Sequence, residues 1–240
     1  MKRYYTSITY LLFLCFFPFG IKAQISSDIA GAIYDQVNLI SQEFGQDSQK
    51  MDFLLQGINY LPSEPLTKGS PFYPQDAWIR GTLITPNHYF SFVNLRYDAY
   101  DDRLLYLDPS LNSPAVVLNP ELIDGFVVQE KKFVYLEDDN TNGLGGFFEE
   151  VYHGKTSVFQ KIRAKIRKSG EDPFGQFYLT KSYYLQSGDK FLALKNKKDL
   201  FDAFPNQKEQ IKDYLKANQI RFGKISPEQF VKLFTYLDQA

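Results

Sequence analysis

Cysteine is almost missing from this chain, and its single copy, Cys15, lies in an apolar run near the N-terminus. Lys2 and Arg3 precede that run, residues 8–19 are apolar apart from Thr9 and Pro18, and Gly20-Ile21-Lys22-Ala23 leads into Gln24. A positive start, a short apolar stretch and a small residue at the end make a secretory signal, so residues 1–23 are expected to be removed before Gln24. The stretch falls short of the about 20 apolar residues that a spanning helix needs, which argues against an uncleaved anchor. A lipoprotein reading at Cys15 would put bulky Leu14 where a small residue belongs. Without its signal the chain has no thiol. That excludes disulfide stapling, cysteine nucleophiles and cysteine metal sites, and leaves a packed core to hold the protein together.

Other scarcities narrow the chemistry. There are two histidines, His88 and His153, and one tryptophan, Trp78. His88 starts a strand-like run and His153 precedes a turn glycine, so both read as turn or surface residues rather than bases or ligands. The chain carries no Gly-x-Ser-x-Gly, no His-Glu-x-x-His and no phosphate-binding loop. No stretch after residue 23 is apolar enough to cross a membrane as a helix. The net charge is −1, and the signal takes Lys2, Arg3 and Lys22 with it and no acid. Broad nucleic-acid binding, which wants a basic domain, is excluded.

What the chain does have is aromatics, 22 Phe and 17 Tyr. Over residues 51–195 they alternate with polar residues in short runs broken by Gly, Asn, Asp and Pro, which predicts a β-rich core. The run 89–97 puts Tyr89, Ser91, Val93, Leu95 and Tyr97 on one face. Asp98-Ala99-Tyr100-Asp101-Asp102 then turns the chain into 103–107 as a hairpin. Further strands are expected at 78–84, 116–118, 126–129, 133–136, 147–152, 177–185 and 190–194, with turns at 152–155 and 186–189. Strands this close in sequence pair antiparallel. Residues 61–75 hold four prolines, and read as a loop beside Phe72, Tyr73 and Trp78.

The flanks read as helices. Ile29, Ile33, Val37 and Ile40 recur at helical spacing over 24–50, with Gly45 as a stop. Over 196–240, Asn196 caps a short helix, residues 206–217 form a second, and Ser226-Pro227-Glu228-Gln229 starts a third with the stripe Phe230, Val231, Phe234 and Leu237. The fold class is therefore α+β: one domain over 24–240, a mainly antiparallel sheet that is twisted or partly closed, an N-terminal helix and a cap of two to three short C-terminal helices. The signal ending in Ala23-Gln24, the aromatic core, the hairpin Phe147-Phe148-Glu149-Glu150-Val151-Tyr152-His153-Gly154-Lys155, the strand Tyr183-Tyr184-Leu185 and the helix Lys197-Lys198-Asp199-Leu200-Phe201 together resemble uncharacterised exported proteins of the Bacteroidota. The resemblance spans most of the chain after the signal. It implies an envelope location and attaches no activity.

Two constellations stand out. Residues 138–149 satisfy the calcium-loop pattern, with Asp138, Asn140 and Asn142 at loop positions one, three and five, Gly143 at six, the Leu144 carbonyl at seven and Glu149 at twelve. The flanking segments read as strands rather than helices, so the competing reading is a Gly/Asn-rich hairpin loop. The second is Lys161, Arg163, Lys165 and Arg167. As a strand, residues 161–168 put the four cations on one face and Ile162, Ala164 and Ile166 on the other. As a helix, Val158, Ile162 and Ile166 align. The hairpin turn just before favours the strand. Functionally the row reads as a patch for an anionic glycan, a lipid headgroup or an acidic protein. Its plainer reading is an edge strand kept from pairing by its charge.

The expectation is an exported protein, periplasmic, outer-membrane-associated or secreted. It acts as a non-enzymatic binding or interaction module with an envelope component as partner, and needs no cofactor unless the 138–149 loop takes calcium. The alternatives are a carbohydrate or peptidoglycan hydrolase, which requires two facing carboxylates in a cleft, and a calcium-stabilised structural module.

Overall fold

The computed structural model describes residues 57–239, apart from Asn87, Leu111, Glu171 and Asp189. The N-terminal helix expected within 24–50 and the signal at 1–23 lie outside the described residues. Twelve strands form one antiparallel sheet in the order β1-β6-β5-β4-β3-β7-β8-β9-β10-β11-β12, with β2 pairing the end of β4. The strands are β1 (Ile58–Asn59), β2 (Phe72–Tyr73), β3 (Ile79–Ile84), β4 (Tyr89–Asp98), β5 (Arg103–Leu107) and β6 (Val116–Val117). They continue as β7 (Gly125–Val128), β8 (Lys131–Leu136), β9 (Gly146–His153), β10 (Ser157–Ser169), β11 (Asp172–Ser187) and β12 (Lys190–Ala193). Two meanders, β3 to β6 and β7 to β12, meet where Thr82, Leu83 and Ile84 pair with Val127, Phe126 and Gly125. The sheet curls without closing.

The curl makes the principal core. Leu95 and Tyr97 of β4, Phe126 of β7, Phe133 of β8, Phe147 of β9, and Ile162 and Ala164 of β10 bury in one cluster. Phe126 and Phe133 stack with centroids 4.5 Å apart, and Phe147 meets Phe126 edge-on at 5.3 Å. These offset and edge-to-face arrangements match the ring quadrupoles. The Ala164 amide also donates to the Ala99 carbonyl at 2.9 Å, tying the second meander across the first.

The expected alternation along β4 holds for Val93, Leu95 and Tyr97, which are buried, and fails before them. Phe92 sits at φ 61° where the register against β3 shifts. This bulge reverses the faces, so Tyr89 becomes 55% exposed while Phe90 packs on the core. Strands β10 and β11 exceed the expected lengths, at 13 and 16 residues. Beyond Gln160, β10 has lost β9 as a ladder partner, and the two strands run on as a ribbon.

The helices are α1 (Lys197–Ala203), α2 (Lys208–Ala217) and α3 (Pro227–Gln239). Asn196 and Asp199 form a capping box on α1. The Ser226 hydroxyl accepts from the Gln229 amide while the Gln229 side chain accepts from the Ser226 amide, so the start signal at 226–229 is realised. Leu200, Ile211, Leu215, Phe230, Phe234 and Leu237 pack onto Val158 and Leu185 as a second core. Between the two cores the register lines up Glu149, Gln160 and Tyr183 as one polar row across β9, β10 and β11.

The loop at 61–75 is held down. The Tyr60 hydroxyl donates to Asp98 at 2.8 Å, Lys68 pairs with Asp172 at 2.7 Å and Arg96 lies over the Phe72 ring. Lys68 also exchanges backbone hydrogen bonds with Gly175 and Phe177 of β11. Truncation of Phe126 to alanine is expected to cost about 3–5 kcal/mol, since no solvent reaches the ring to relax the cavity. Urea unfolding of Phe126→Ala checks it, with exposed Phe92→Ala as the mild comparison.

Candidate functional site

Strand β10 carries a lysine into the interior. Lys161 is 4% exposed. Its ammonium donates to the Asp102 carboxylate at 2.6 Å, to the Phe147 carbonyl at 2.9 Å and to the Gly145 carbonyl at 3.1 Å. All three donors are used, which is the condition for burying an ammonium without an orphaned charge. The other oxygen of Asp102 accepts from the Tyr97 hydroxyl at 2.6 Å. Burial lowers the Lys161 pKa, and the Asp102 charge opposes that shift. Burial also raises the Tyr97 pKa well above its ordinary value, and the Asp102 charge and hydrogen bond add to it.

Local backbone makes this possible. Asp102 closes the β4–β5 turn at φ 58°, a left-handed conformation that aspartate tolerates better than most residues. Gly146 sits at φ 104°, and a Cβ there would run into the Asp102 carboxylate and the Lys161 ammonium. Glycine is required on both counts.

Above the ion pair opens a cavity of about 680 Å³. Asp102, Glu121, Asp124, Glu137 and Asp138 line it, with Ile123, Tyr135 and the backbone of Gly145 and Gly146. Burial raises the Tyr135 pKa, and the carboxylates of Asp102, Asp138, Glu121 and Glu137 push it further. The side chain is thus a phenol surrounded by negative charge. Asp98, a carboxyl that burial raises, lies outside this cavity beneath Tyr60.

The structure redistributes the residues singled out in the sequence. Asp138 lines the cavity. Asn140 lies in a 3-10 turn at Asp139–Thr141. Asn142 takes φ 57° and donates its side-chain amide to the Phe191 carbonyl at 3.0 Å. Leu144 is exposed. Glu149 is on β9, where alternation sends it to the opposite face from Phe148, the ring that touches Lys161. There it accepts from Lys131 at 2.6 Å and from the Tyr73 hydroxyl at 3.2 Å. Burial and the Glu149 charge push the Tyr73 phenol up to about 12. Burial works against the charge on Lys131, yet the Glu149 hydrogen bond and charge hold its pKa above the ordinary value. Among the described residues, no group of three or more His, Cys, Asp or Glu side chains is placed to hold a metal ion.

Of the four cations, Lys161 belongs to the buried pair and is lost to any surface patch. Arg163 is half-buried, and Lys165 and Arg167 are exposed. Tyr97 and Gly146 were not singled out by sequence reasoning, and Asp102 only as one of the clustered acids Asp98, Asp101 and Asp102. The acids at 98–102 carry the pattern of an ordinary turn, and the one local signal for the close approach is the Gly145-Gly146 pair. His153 is an exposed partner of Glu150 and Ser157.

Two outcomes follow from this geometry. Asp102→Asn leaves the Lys161 charge buried without an anion and is expected to cost about 3–5 kcal/mol. Lys161→Met is expected to cost less, because Asp102 faces the cavity, and the double variant less than the sum of the two; chemical denaturation of all three measures it. The second outcome concerns pH. The phenols of Tyr73 and Tyr106, which burial pushes up to about 12, ionise near 10 when unfolded. The folded state therefore holds more protons between these values, and its stability, complete below about pH 10, falls as pH rises toward about 12. Melting temperatures across that range should drop steeply, and less so in Tyr106→Phe. Compared with known proteins, the chain matches no family model, no curated protein and no solved structure.

Proposed function

We propose that the protein is a non-enzymatic binding module of the cell envelope, and that its acidic cavity takes the cationic group of a small ligand. The observation that carries this reading is the cavity itself. About 680 Å³ is the size of an ordinary small-molecule site, and five carboxylates against one buried, fully engaged lysine leave it net negative. A primary amine or a polyamine would find acceptors on several sides, with Tyr135 as an apolar wall. The envelope location rests on the signal at 1–23 and on the resemblance to exported proteins. Among the described residues no helix is long and apolar enough to cross a membrane.

The carboxylates also favour a second reading, hydrolysis of a glycan by a pair of acids. It is the weaker one. Asp102 is held as an acceptor by Lys161 and Tyr97, which removes the most sheltered acid of the cavity from proton transfer. Glu121, Asp124, Glu137 and Asp138 are all exposed at the rim.

Calorimetric titration with spermidine and with a glucosamine oligomer, against its N-acetylated form, tests the assignment. Binding is expected for the amines alone, weakening with salt. Glu137→Gln combined with Asp138→Asn should lower the affinity by about fivefold, the scale of rim charges. Absence of amine binding ends the proposal, and release of new reducing ends from the oligomer would put the hydrolase in its place.

A further inference from the structure

The distal half of β10 and β11 is a two-stranded ribbon whose two faces differ. Ile162, Ala164 and Phe177 turn inward to the principal core. The other face presents Arg163 opposite Thr180, Lys165 opposite Tyr178 and Arg167 opposite Gln176. Residues two apart on a strand are about 7 Å apart on one face, so the three cations form a straight row. No acid occupies this face between Arg163 and Arg167 or on the facing positions of β11.

Three details separate this row from an ordinary solvated strand. Arg163 is half-buried, yet its guanidinium has no ion-pair partner among the described residues; it lies near enough to Lys161 and Tyr97 for its charge to act on both. Arg167 lies over the Tyr178 ring at 4.7 Å, which fixes a planar cation against an aromatic face. The opposite edge of the ribbon is already covered: Lys68 bridges to Gln176, and the Thr67 hydroxyl donates to the Phe174 carbonyl at 3.0 Å. The edge of β10 itself is engaged at Ala164, whose amide donates to the Ala99 carbonyl at 2.9 Å, so the positive row does more than guard a free edge.

We propose that this outer face, Arg163, Lys165, Arg167 and Tyr178, binds an anionic polysaccharide. A linear polymer bearing carboxylates or sulfates matches a straight row of cations. The tyrosine between them offers a ring for a sugar face, and Thr180 and Gln176 offer hydrogen bonds to hydroxyls. A membrane surface fits less well, since from Arg163 to Arg167 and at the facing positions of β11 this face has no apolar residue other than Tyr178 to enter the lipid. A nucleic acid fits less well, because the chain is acidic overall. The site is separate from the acidic cavity and does not depend on what the cavity takes.

Immobilised chondroitin sulfate and polygalacturonate, with neutral dextran as control, test the proposal on the mature chain. Phosphatidylglycerol vesicles and a single-stranded oligonucleotide stand beside them. Retention on one or both charged polysaccharides and none on dextran is expected, falling at least about tenfold as salt rises from about 50 to about 200 mM. Arg163→Gln, Lys165→Gln and Arg167→Gln together should reduce it about tenfold with the melting temperature held. Exposed Lys165→Gln and Arg167→Gln singly should each reduce it a few-fold, so a misfolded triple variant does not decide the matter. Tyr178→Ala should weaken polysaccharide binding about threefold. No retention on either charged polysaccharide, unchanged retention in the single variants, or tighter binding to vesicles or oligonucleotide than to both polysaccharides would overturn it.

Discussion

The ion pair between Lys161 and Asp102 is the constraint around which the described structure is arranged. Asp102 ends the first meander's central hairpin, and Lys161 lies midway along the second meander. Their 2.6 Å contact holds two distant parts of the sheet against each other. Burying the lysine charge is expensive in isolation. It is tolerated here because two backbone carbonyls and one phenol complete the hydrogen bonding. Neutral packing at the same place would fill the space without requiring this relative placement of the strands. The Ala164–Ala99 hydrogen bond and the aromatic cluster of Tyr97, Phe126, Phe133 and Phe147 then close the curl.

The same strand that supplies the buried lysine also organises the charge of the surface. From Lys161 outward, β10 leaves the ion pair with Asp102 and becomes the spine of a basic ribbon. On its other face, Val158 faces the helical cap and Ile162 faces the principal core, with Gln160 between them in the polar row. One uninterrupted strand thus touches both cores, the ion pair with Asp102 and the basic face. Its length of 13 residues matters for that reason. Hydrogen bonding to β11 runs nearly its whole length and keeps these regions in a defined register.

Much of the fold was legible because it is local. The turn at 98–102, the hairpins at 152–155 and 186–189, and the capped helices at 196 and 226 rest on residues within a few positions of each other. The strand reading of 161–168 came from its neighbour, the turn before it. The β7–β8 turn was harder to read, since Gln129 and Glu130 adopt positive φ without the usual glycine or asparagine. The bulge at Phe92 was invisible for a similar reason. An alternating pattern carries no mark of the extra residue that reverses it. The calcium-loop pattern correctly marked a turn-rich connection. Spacing alone did not reveal that strand alternation sends Glu149 to the other side of the sheet.

By itself the sequence determined the character of the elements: antiparallel strands, short capped helices, a core of Phe and Tyr rather than disulfides, and a row of cations on one strand face. Those follow from periodicity, turn chemistry and composition, which act over a few residues. Only the tertiary structure decided that Lys161 leaves that row for Asp102, that five acids from three separate segments surround one cavity, and that Glu149 pairs with Lys131. Each of those depends on contacts between residues 14 to 59 positions apart. No local pattern encodes such contacts, because they are set by how the sheet curls to bury its aromatic face.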